Sequence, residues 1–550
     1  MIKQATPEKL EVLKSRVERS KKIMRWERDK VWSQCRDFFE GNHWPASVQP
    51  KMKTINLIWA TVKTLLADQY YRNPKFTLKA LKPEFEGNQR FLQEAVLNYY
   101  VKRSYLKPVA RNCVQSAFTD MAIMTWGCDT RFEDSGATKK DSFYFKQIEA
   151  ENFFPDHSNK ERIFEKLEGF AIKESMRVSD VANKWNVDKK NIVATDMATD
   201  DMDDRTDYHD GFMDQPIQDD IKRVQVYRYY DNYERKQYIY GKGSYDFFDI
   251  IDYEDKEPPY AVLKYNEKTK GFYPIPEILF MIDPQKIIEI SASMSTEHML
   301  RSARKIQVEE ENMEAAEEDK LEDPTTGVIV HVKKIGRIAP IDMGTADSSI
   351  YNNVSMFGNF FDQIGGLNTS RRGGGSQKLT ATAEAIIDKH GMNRSSDKLS
   401  QLADFMVKVG KGFHDCLQEN LTIPDVIQVT SEEGAMQWFS YIPTIDITGD
   451  YECEVQVGEM GVKDDAVERS QWIQVLAVLQ QSPMILQSPL LVEETLARFH
   501  ITNPALKKEI VKIGQQMLQQ QQMEMASKAG VSVPDVASNA GQIAGAAQRV

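Results

Sequence analysis

A chain of 550 residues with 41% hydrophobic side chains can bury a substantial core, so extensive disorder is not expected. Its 82 acidic residues outnumber the 70 basic ones, for a formal net charge of -12, which excludes a bulk attraction to nucleic acid or anionic lipid and leaves room only for local contacts. Five cysteines, at 35, 113, 128, 416 and 453, form no CxxC pair and fit unpaired thiols in a reducing compartment.

The N-terminal stretch "MIKQATPEKLEVLKSRVERSKK" lacks the apolar run of a secretory leader. The longest uncharged run, residues 470–492, holds five Gln, three Ser and two Pro, poor material for a membrane span, so a soluble chain is expected.

In chain order, Pro7 to Phe39 reads as a helix with apolar positions at Leu10, Val12, Leu13, Val17 and Met24, ended by "EGNHWP". Further helices are expected over Asn56–Asp68, Asn88–Arg103 and Pro108–Thr125. From Gly127 the period changes: "CDTRFED" and "DSFYFKQIEA" read as strands joined by "SGATKK". "EGFAIKESM" then "VSDVANKW" reads as strand then helix, and "VQVYRYYDNYERKQYIYG" as a strand pair. Between them, ten Asp from Asp196 to Asp220 suggest a cation loop, but the EF-hand pattern of Gly at the sixth and Glu at the twelfth position from Asp201 is not met, which favours a solvated acidic loop.

From Pro274 the chain reads as mainly helical. Asp283 is a good N-cap with Pro284 at the first helical position, and Ile288, Ala292, Ser295, Met299, Ala303 and Ile306 form one seam of small and apolar residues. "EEENMEAAEEDKLED", Glu309 to Asp323, carries nine acids and one Lys, and a β-branched stretch follows with Lys333, Lys334 and Arg337. A helix over Ser349–Ile364 leads into "GGLNTSRRGGGSQKLTATAEAI", with five glycines and three basic residues in 22 positions. Thr380–Asn420 then reads as one helix of about 60 Å, with an apolar stripe from Leu399 through Leu402, Phe405, Met406, Val409, Phe413 and Cys416 to Leu417, and with Gly391 as a possible kink point. "YECEVQVGE" reads as a strand, and helices are expected over Asp464–Gln481, Pro489–Arg498 and Pro504–Lys528, before a small-residue tail.

Enzyme chemistry finds no support. A P-loop needs GxxxxGK[ST], but Gln377 precedes Lys378, and around Gly241 and Lys242 the chain has Lys236 for the first Gly and Gly243 for the hydroxyl residue. No two of the eight His lie closer than 24 positions, so no local metal motif exists, and His390 and His414 read as packing or surface residues. No catalytic residue, metal site or cofactor is expected.

Four stretches carry a resemblance: "FMIDPQKIIEISASM", "FFDQIGGLNTSRRGGGSQKLTATAEAI", "INLIWATVKTLLADQYYRNP" and "IEAENFFPDHSN". With the order of the elements around them, they resemble the portal proteins of tailed bacteriophages, particularly the P22-like group, over about residues 30–500. Glu289 and "ISASMSTE" stand where that group carries Asn and basic residues, so a basic, DNA-facing charge does not carry over to this helix. The helix after Pro504 is short, so a long C-terminal barrel should be truncated or absent.

The resemblance implies an α+β, mainly helical portal fold assembled as a ring around a channel, with no bond chemistry of its own. Its parts would be a wing (1–273), a first stem helix (274–306), a clip (307–347), a second stem helix (348–364), a tunnel loop (365–379), a long tunnel helix with returning wing strands (380–460), a helical crown (461–528) and a flexible tail (529–550). It implies a homo-oligomer, usually of twelve copies, at one capsid vertex of the virion, assembled in the host cytoplasm. Double-stranded DNA would be packaged through it by terminase and later ejected, with capsid and scaffolding protein and tail adaptor or head-completion proteins as further partners, and no membrane. The resemblance assigns DNA contact in the tunnel loop to Arg371, Arg372 and Lys378. It assigns docking of terminase or adaptor at the clip to Glu309, Glu310, Glu311, Glu314, Glu317, Glu318, Lys333, Lys334 and Arg337. The alternative is a nucleotide-dependent DNA-processing enzyme resembling the packaging motor.

Overall fold

In the computed structural model, which describes residues 7–49, 52–85, 87–129, 142–157, 161–193, 222–253, 257–302, 306–308, 338–340, 348–366, 381–421, 425–430, 436–441 and 449–455, the N-terminal segment is helical as its spacing predicts. Helix α1 (Pro7–Glu27) passes through one π-helical turn, Arg28–Trp32, into α2 (Ser33–Glu40). Leu10, Leu13, Val17 and Met24 share the buried face, whereas Val12, one position off that face, is exposed. The π turn carries Trp32, fully buried and edge-on to Tyr273 with ring centres 5.3 Å apart.

Helix α3 (Leu57–Gln69) starts at Asn56, whose side-chain oxygen accepts from the Trp59 amide at 2.8 Å. Strand β1 (Phe76–Ala80) and helix α4 (Asn88–Arg103) follow. Helix α5 (Leu106–Thr119) is shorter than its sequence suggests, because β2 (Ala122–Asp129) begins where the expected helix continues to Thr125. Residues 121–124 are all buried, and an apolar run without period reads equally as helix or strand. Sheet pairing decides for the strand: β2 lies between β3 (Ser142–Ile148) and a later strand.

Strands β4 (Phe153–Pro155) and β5 (Gly169–Arg177), helix α6 (Val178–Trp185), and strands β6 (Arg223–Asp231), β7 (Lys236–Gly241) and β8 (Asp249–Asp252) form the next region. The five strands pair antiparallel in the order β4-β5-β6-β7-β8. The buried face of α1 belongs to one apolar cluster with Phe153, Phe170, Tyr227 and Tyr229 of this sheet, and a second cluster joins Val181 and Ala182 of α6 to Val224, Val226 and Ile239. Asp156, just past β4, is buried and accepts from the Tyr229 hydroxyl at 2.9 Å and from Arg16 at 3.2 Å, which ties α1 to the sheet. Strand β9 (Tyr260–Leu263) completes the three-stranded sheet β3-β2-β9.

Helix α7 (Leu279–Ser302) starts a turn before the expected cap: Asp283 is exposed and Pro284 lies inside the helix. The cap signal is overridden by burial, since Ile278, Met281 and Ile282 are packed in the core and draw the preceding residues into the helix. The helix ends at Ser302, so Ile306, expected on its seam, instead opens strand β10 (Ile306–Val308), antiparallel to β11 (Ile338–Pro340). Helices α8 (Ser348–Gly365) and α9 (Ala381–Asn420) match their expected bounds to within a residue, and Gly391 falls within continuous helix. Strands β12 (Asp425–Thr430) and β13 (Met436–Tyr441) form a two-stranded sheet, and β14 (Tyr451–Val455) pairs antiparallel with β1.

The chain divides into two compact units, residues 1–425 with 440–461, and residues 426–439 with 462–550. Of the second, the described residues are strand segments of the β12-β13 sheet; the expected helices over 464–528, the tail, and the acidic stretch 196–220 lie outside the described residues. All five cysteines are unpaired, and among the described residues no helix is long and apolar enough to cross a membrane.

Of the expected stripe on α9, Leu402, Phe405, Met406, Val409, Phe413 and Leu417 are buried while Leu399 and Cys416 are half-buried, and Phe413 packs on Phe145 with ring centres 4.4 Å apart. At Gly412 the helix backbone comes so close to β2 that a Cβ would lie 2.1 Å from the buried Trp126 ring. Gly412→Ala should therefore destabilise the protein by about 1–3 kcal/mol through overpacking, although alanine is intrinsically the better helix former by about 1 kcal/mol. Urea denaturation of the variant against the parent measures the difference.

Candidate functional site: the helix pair and its anchor

Helices α7 and α8 pack against each other, and Ser295 of α7 and Tyr351 of α8 meet through their hydroxyls at 3.3 Å. At the root of α7 sits Glu289, the residue at which the family resemblance departs from its usual pattern. Its side chain is fully buried beneath the segment that joins α2 to α3.

Four donors converge on that carboxylate. Oε1 accepts from His43 Nδ1 at 2.5 Å, Gln285 Nε2 at 2.7 Å and the Ile55 amide at 3.0 Å, and Oε2 accepts from Trp44 Nε1 at 2.8 Å. The other ring nitrogen of His43 lies 2.7 Å from the Phe38 carbonyl. Both ring nitrogens thus face acceptors, one a carboxylate and the other a backbone carbonyl. Burial alone would raise the Glu289 carboxyl, but the hydrogen bonds from His43, Gln285 and Ile55 and the charge on His43 outweigh it and hold the group below the ordinary glutamate range.

The same segment is stitched to α7 at further points. Gln285 donates to the Ile55 carbonyl at 2.5 Å, the Lys53 amide donates to Ser293 Oγ at 2.8 Å, and Ser293 Oγ donates to the Glu289 carbonyl at 2.7 Å. Gln285 and Glu289, one helical turn apart, share one face, and this is the physical role of the Asp-Pro-Gln motif here: its Gln is an anchor. Asn56 does similar work for the Asn-x-Ile motif, capping α3 while its amide donates to the Phe39 carbonyl at 3.0 Å. His43 and Trp44 were not selected by sequence; neither lies in a periodic segment, and their partner is some 245 positions away.

A second buried ion pair joins Glu277, just before α7, to Lys398 of α9 at 2.6 Å, with Asn266 donating to the other Glu277 oxygen at 2.6 Å. It lies at the edge of a cavity of about 1000 Å³ between α7, α8 and α9, lined by Phe280, Ile287, Phe357 and Phe360 with Asp283 and Asp397. His414, read as a packing residue, is buried and bonds to Gln93 at 2.8 Å.

Arg371, Arg372 and Lys378 lie outside the described residues, as do Glu309, Glu310, Glu311, Glu314, Glu317, Glu318, Lys333, Lys334 and Arg337. The flanks of both groups are described. The β10-β11 ladder, with Val308 opposite Ile338, holds the two ends of residues 309–337 side by side. At the end of α8, a Cβ on Gly365 would lie 3.2 Å from Thr61 Cγ2, a tight fit against α3, and Gly366 takes a left-handed φ of 67° that ends the helix. The glycine doublet thus serves packing and then chain reversal before residue 367.

Residues 277–548 match the family described as Phage P22-like portal protein. The matched segment opens at Glu277, the partner of Lys398, and includes α7, α8 and α9. No curated protein matches the chain.

Glu289→Ala leaves His43, Trp44, Gln285 and the Ile55 amide without their shared buried acceptor, and should cost about 3–5 kcal/mol of stability, measured by chemical denaturation. The pH dependence has a fixed sign. A carboxyl held below its unfolded value contributes fully above the ordinary glutamate range, and its contribution is lost as the pH falls through the lowered folded value. Thermal melts of the parent should fall more steeply between pH 5 and pH 3 than those of Glu289→Gln.

Proposed function

Residues 277–548 place this chain among the phage P22-like portal proteins, and from that premise we propose that it is one subunit of a capsid-associated ring, usually of twelve copies, whose axial channel passes double-stranded DNA. The observation that carries the reading is the order inside the matched segment: helix α7, a charged excursion closed by β10-β11, helix α8, the Gly-rich basic stretch, and the 40-residue helix α9. In this reading the ring stands at one vertex of the virion and is assembled in the host cytoplasm. Terminase packages DNA through it, scaffolding and capsid protein surround it, and tail adaptor or head-completion proteins dock on it later.

The surface of the helix pair supports an assembly of copies. From Ser348 to Phe361, α8 carries no charged residue, and of its apolar side chains Phe361 is the one that is fully buried in the single chain. Tyr351, Met356 and Phe360 on α8 remain exposed, as do Ile290, Met294 and Met299 on α7. Exposed apolar side chains in this number on one helix pair are unfavourable in water and are satisfied when a neighbouring copy covers them; a head-to-tail contact that closes gives a ring.

Arg371, Arg372 and Lys378 then serve as the sequence-independent phosphate contacts of the tunnel. The acidic run from Glu309 to Glu318, with Lys333, Lys334 and Arg337, serves as the docking surface of the clip. The rival reading, a nucleotide-driven motor, has no P-loop spacing in the chain to support it.

Negative-stain images or native mass spectra of the purified chain should show closed rings with an axial hole; a stable monomer at assembly concentrations would sink the proposal. Met294→Glu combined with Met356→Glu should convert rings to smaller species. Arg371→Ala with Arg372→Ala should leave rings intact and alter DNA packaging or retention, and unchanged packaging and retention would refute the tunnel-loop assignment.

A further inference from the structure

We propose a second polyanion-binding surface, separate from the tunnel loop, at the corner where the end of α3 meets the α4–α5 junction, with the phosphate backbone of duplex DNA as its partner. The charge pattern sets this corner apart. Residues 69–83 and 95–119 contain eight Lys and Arg and not one Asp or Glu, in a chain whose acids outnumber its bases by 82 to 70. Of the acids bounding these stretches, Glu94 is held by Lys75 at 3.4 Å and Asp120 by Arg36 at 2.7 Å.

The two stretches meet in space. The Arg72 guanidinium lies 5.7 Å from the centre of the Tyr71 ring, and the Lys107 ammonium, from the start of α5, lies 5.6 Å from the same ring. Arg103 lies 6.0 Å from the Tyr99 ring and donates to its hydroxyl at 3.0 Å. Lys102 is exposed beside it. Arg72, Arg103 and Lys107 thus meet rings rather than carboxylates, and a cation over a ring keeps its charge available to a ligand. Between them stands Tyr105, 75% exposed and held at a left-handed φ of 55°, a conformation uncommon for a bulky residue that turns α4 into α5.

The aromatic rings decide between duplex and single strand. A single-strand platform stacks successive bases on open ring faces. Here Tyr71 and Tyr99 already hold cations, which leaves Tyr105 alone, too little for a stacked run. Exposed cations pre-positioned by rings fit the sequence-independent phosphates of a duplex.

The test uses the full-length assembled protein and two fluorescent 30-base-pair duplexes of unrelated sequence, titrated between 50 and 200 mM salt. The parent carrying Arg371→Ala and Arg372→Ala removes the tunnel contribution. In that background both duplexes should bind alike, and adding Lys102→Gln, Arg103→Gln and Lys107→Gln should lower the slope of log affinity against log salt by about three, one for each lost phosphate contact. Arg103→Glu alone should weaken binding in the same direction while leaving the melting temperature unchanged, which guards against a folding defect in the triple variant. An unchanged slope, stronger binding to a single strand than to the duplex, or binding of poly-glutamate in place of DNA would each overturn the proposal. The inference rests on the portal reading for the identity of its polyanion alone; ring images test that reading independently of these titrations.

Discussion

The burial of one carboxylate, Glu289, constrains the whole helix pair. A glutamate removed from water is tolerable only when its lone pairs are satisfied and its charge is opposed, and both conditions are met by residues from a different part of the chain: His43, Trp44 and Ile55. The position of α7 is thereby tied to the loop between α2 and α3, and that loop in turn is fixed by Asn56, which caps one helix and holds the end of another. Mutual satisfaction gives this network a single arrangement, because shifting α7 by a residue would strand the carboxylate and its donors in the core.

With its root fixed in this way, the pair formed by α7 and α8 presents its apolar residues outward. Hydrophobic residues of a monomer go inward when they can. On α8 several do not: beside α7, with α3 met at Gly365, Tyr351, Met356 and Phe360 still remain exposed. The same helix avoids charge from Ser348 to Phe361, which would be wasteful for a surface meant to stay in water and is economical for one meant to be covered. The rigid anchor and the exposed apolar face belong together, since a face that must register against a copy has to be held at a fixed angle.

Legibility in the sequence followed the range of the deciding interaction. Helices α4, α8 and α9 were readable because their period and ends are local properties; α9 needs only its own stripe from Leu402 to Leu417 to be recognised. The strand pair β6-β7 was readable for the same reason, its turn lying between adjacent apolar runs. Strands β1, β9, β12 and β13 escaped, and β1 shows why: its partner β14 lies some 375 residues away, and nothing local to "FTLKA" reveals that pairing. The start of α7 was misjudged because Asp283 and Pro284 are a good local cap, and burial of Ile278, Met281 and Ile282 overrode it. The motif that carried the resemblance pointed at the right place without disclosing its chemistry: Gln285 and Glu289 were visible, and His43 and Trp44 were not.

Net charge is a poor guide to where such a chain can meet a polyanion, and the reason lies in how its cations are spent. Arg16 is taken up by Asp156, Arg36 by Asp120 and Glu151, Lys398 by Glu277, Lys268 by Glu27 and Lys408 by Glu165. Each of these neutralises a carboxylate and so contributes little to the field outside the fold. The cations at Arg72, Arg103 and Lys107 rest on aromatic rings, which hold their geometry without cancelling their charge. A surface can therefore be locally attractive to phosphate in a protein of net charge -12, and the acidic remainder works in the same direction, since it repels a duplex from everywhere that is not meant to touch it. In the channel proposed above, sparse cations against a repulsive background would give contact with DNA without retention.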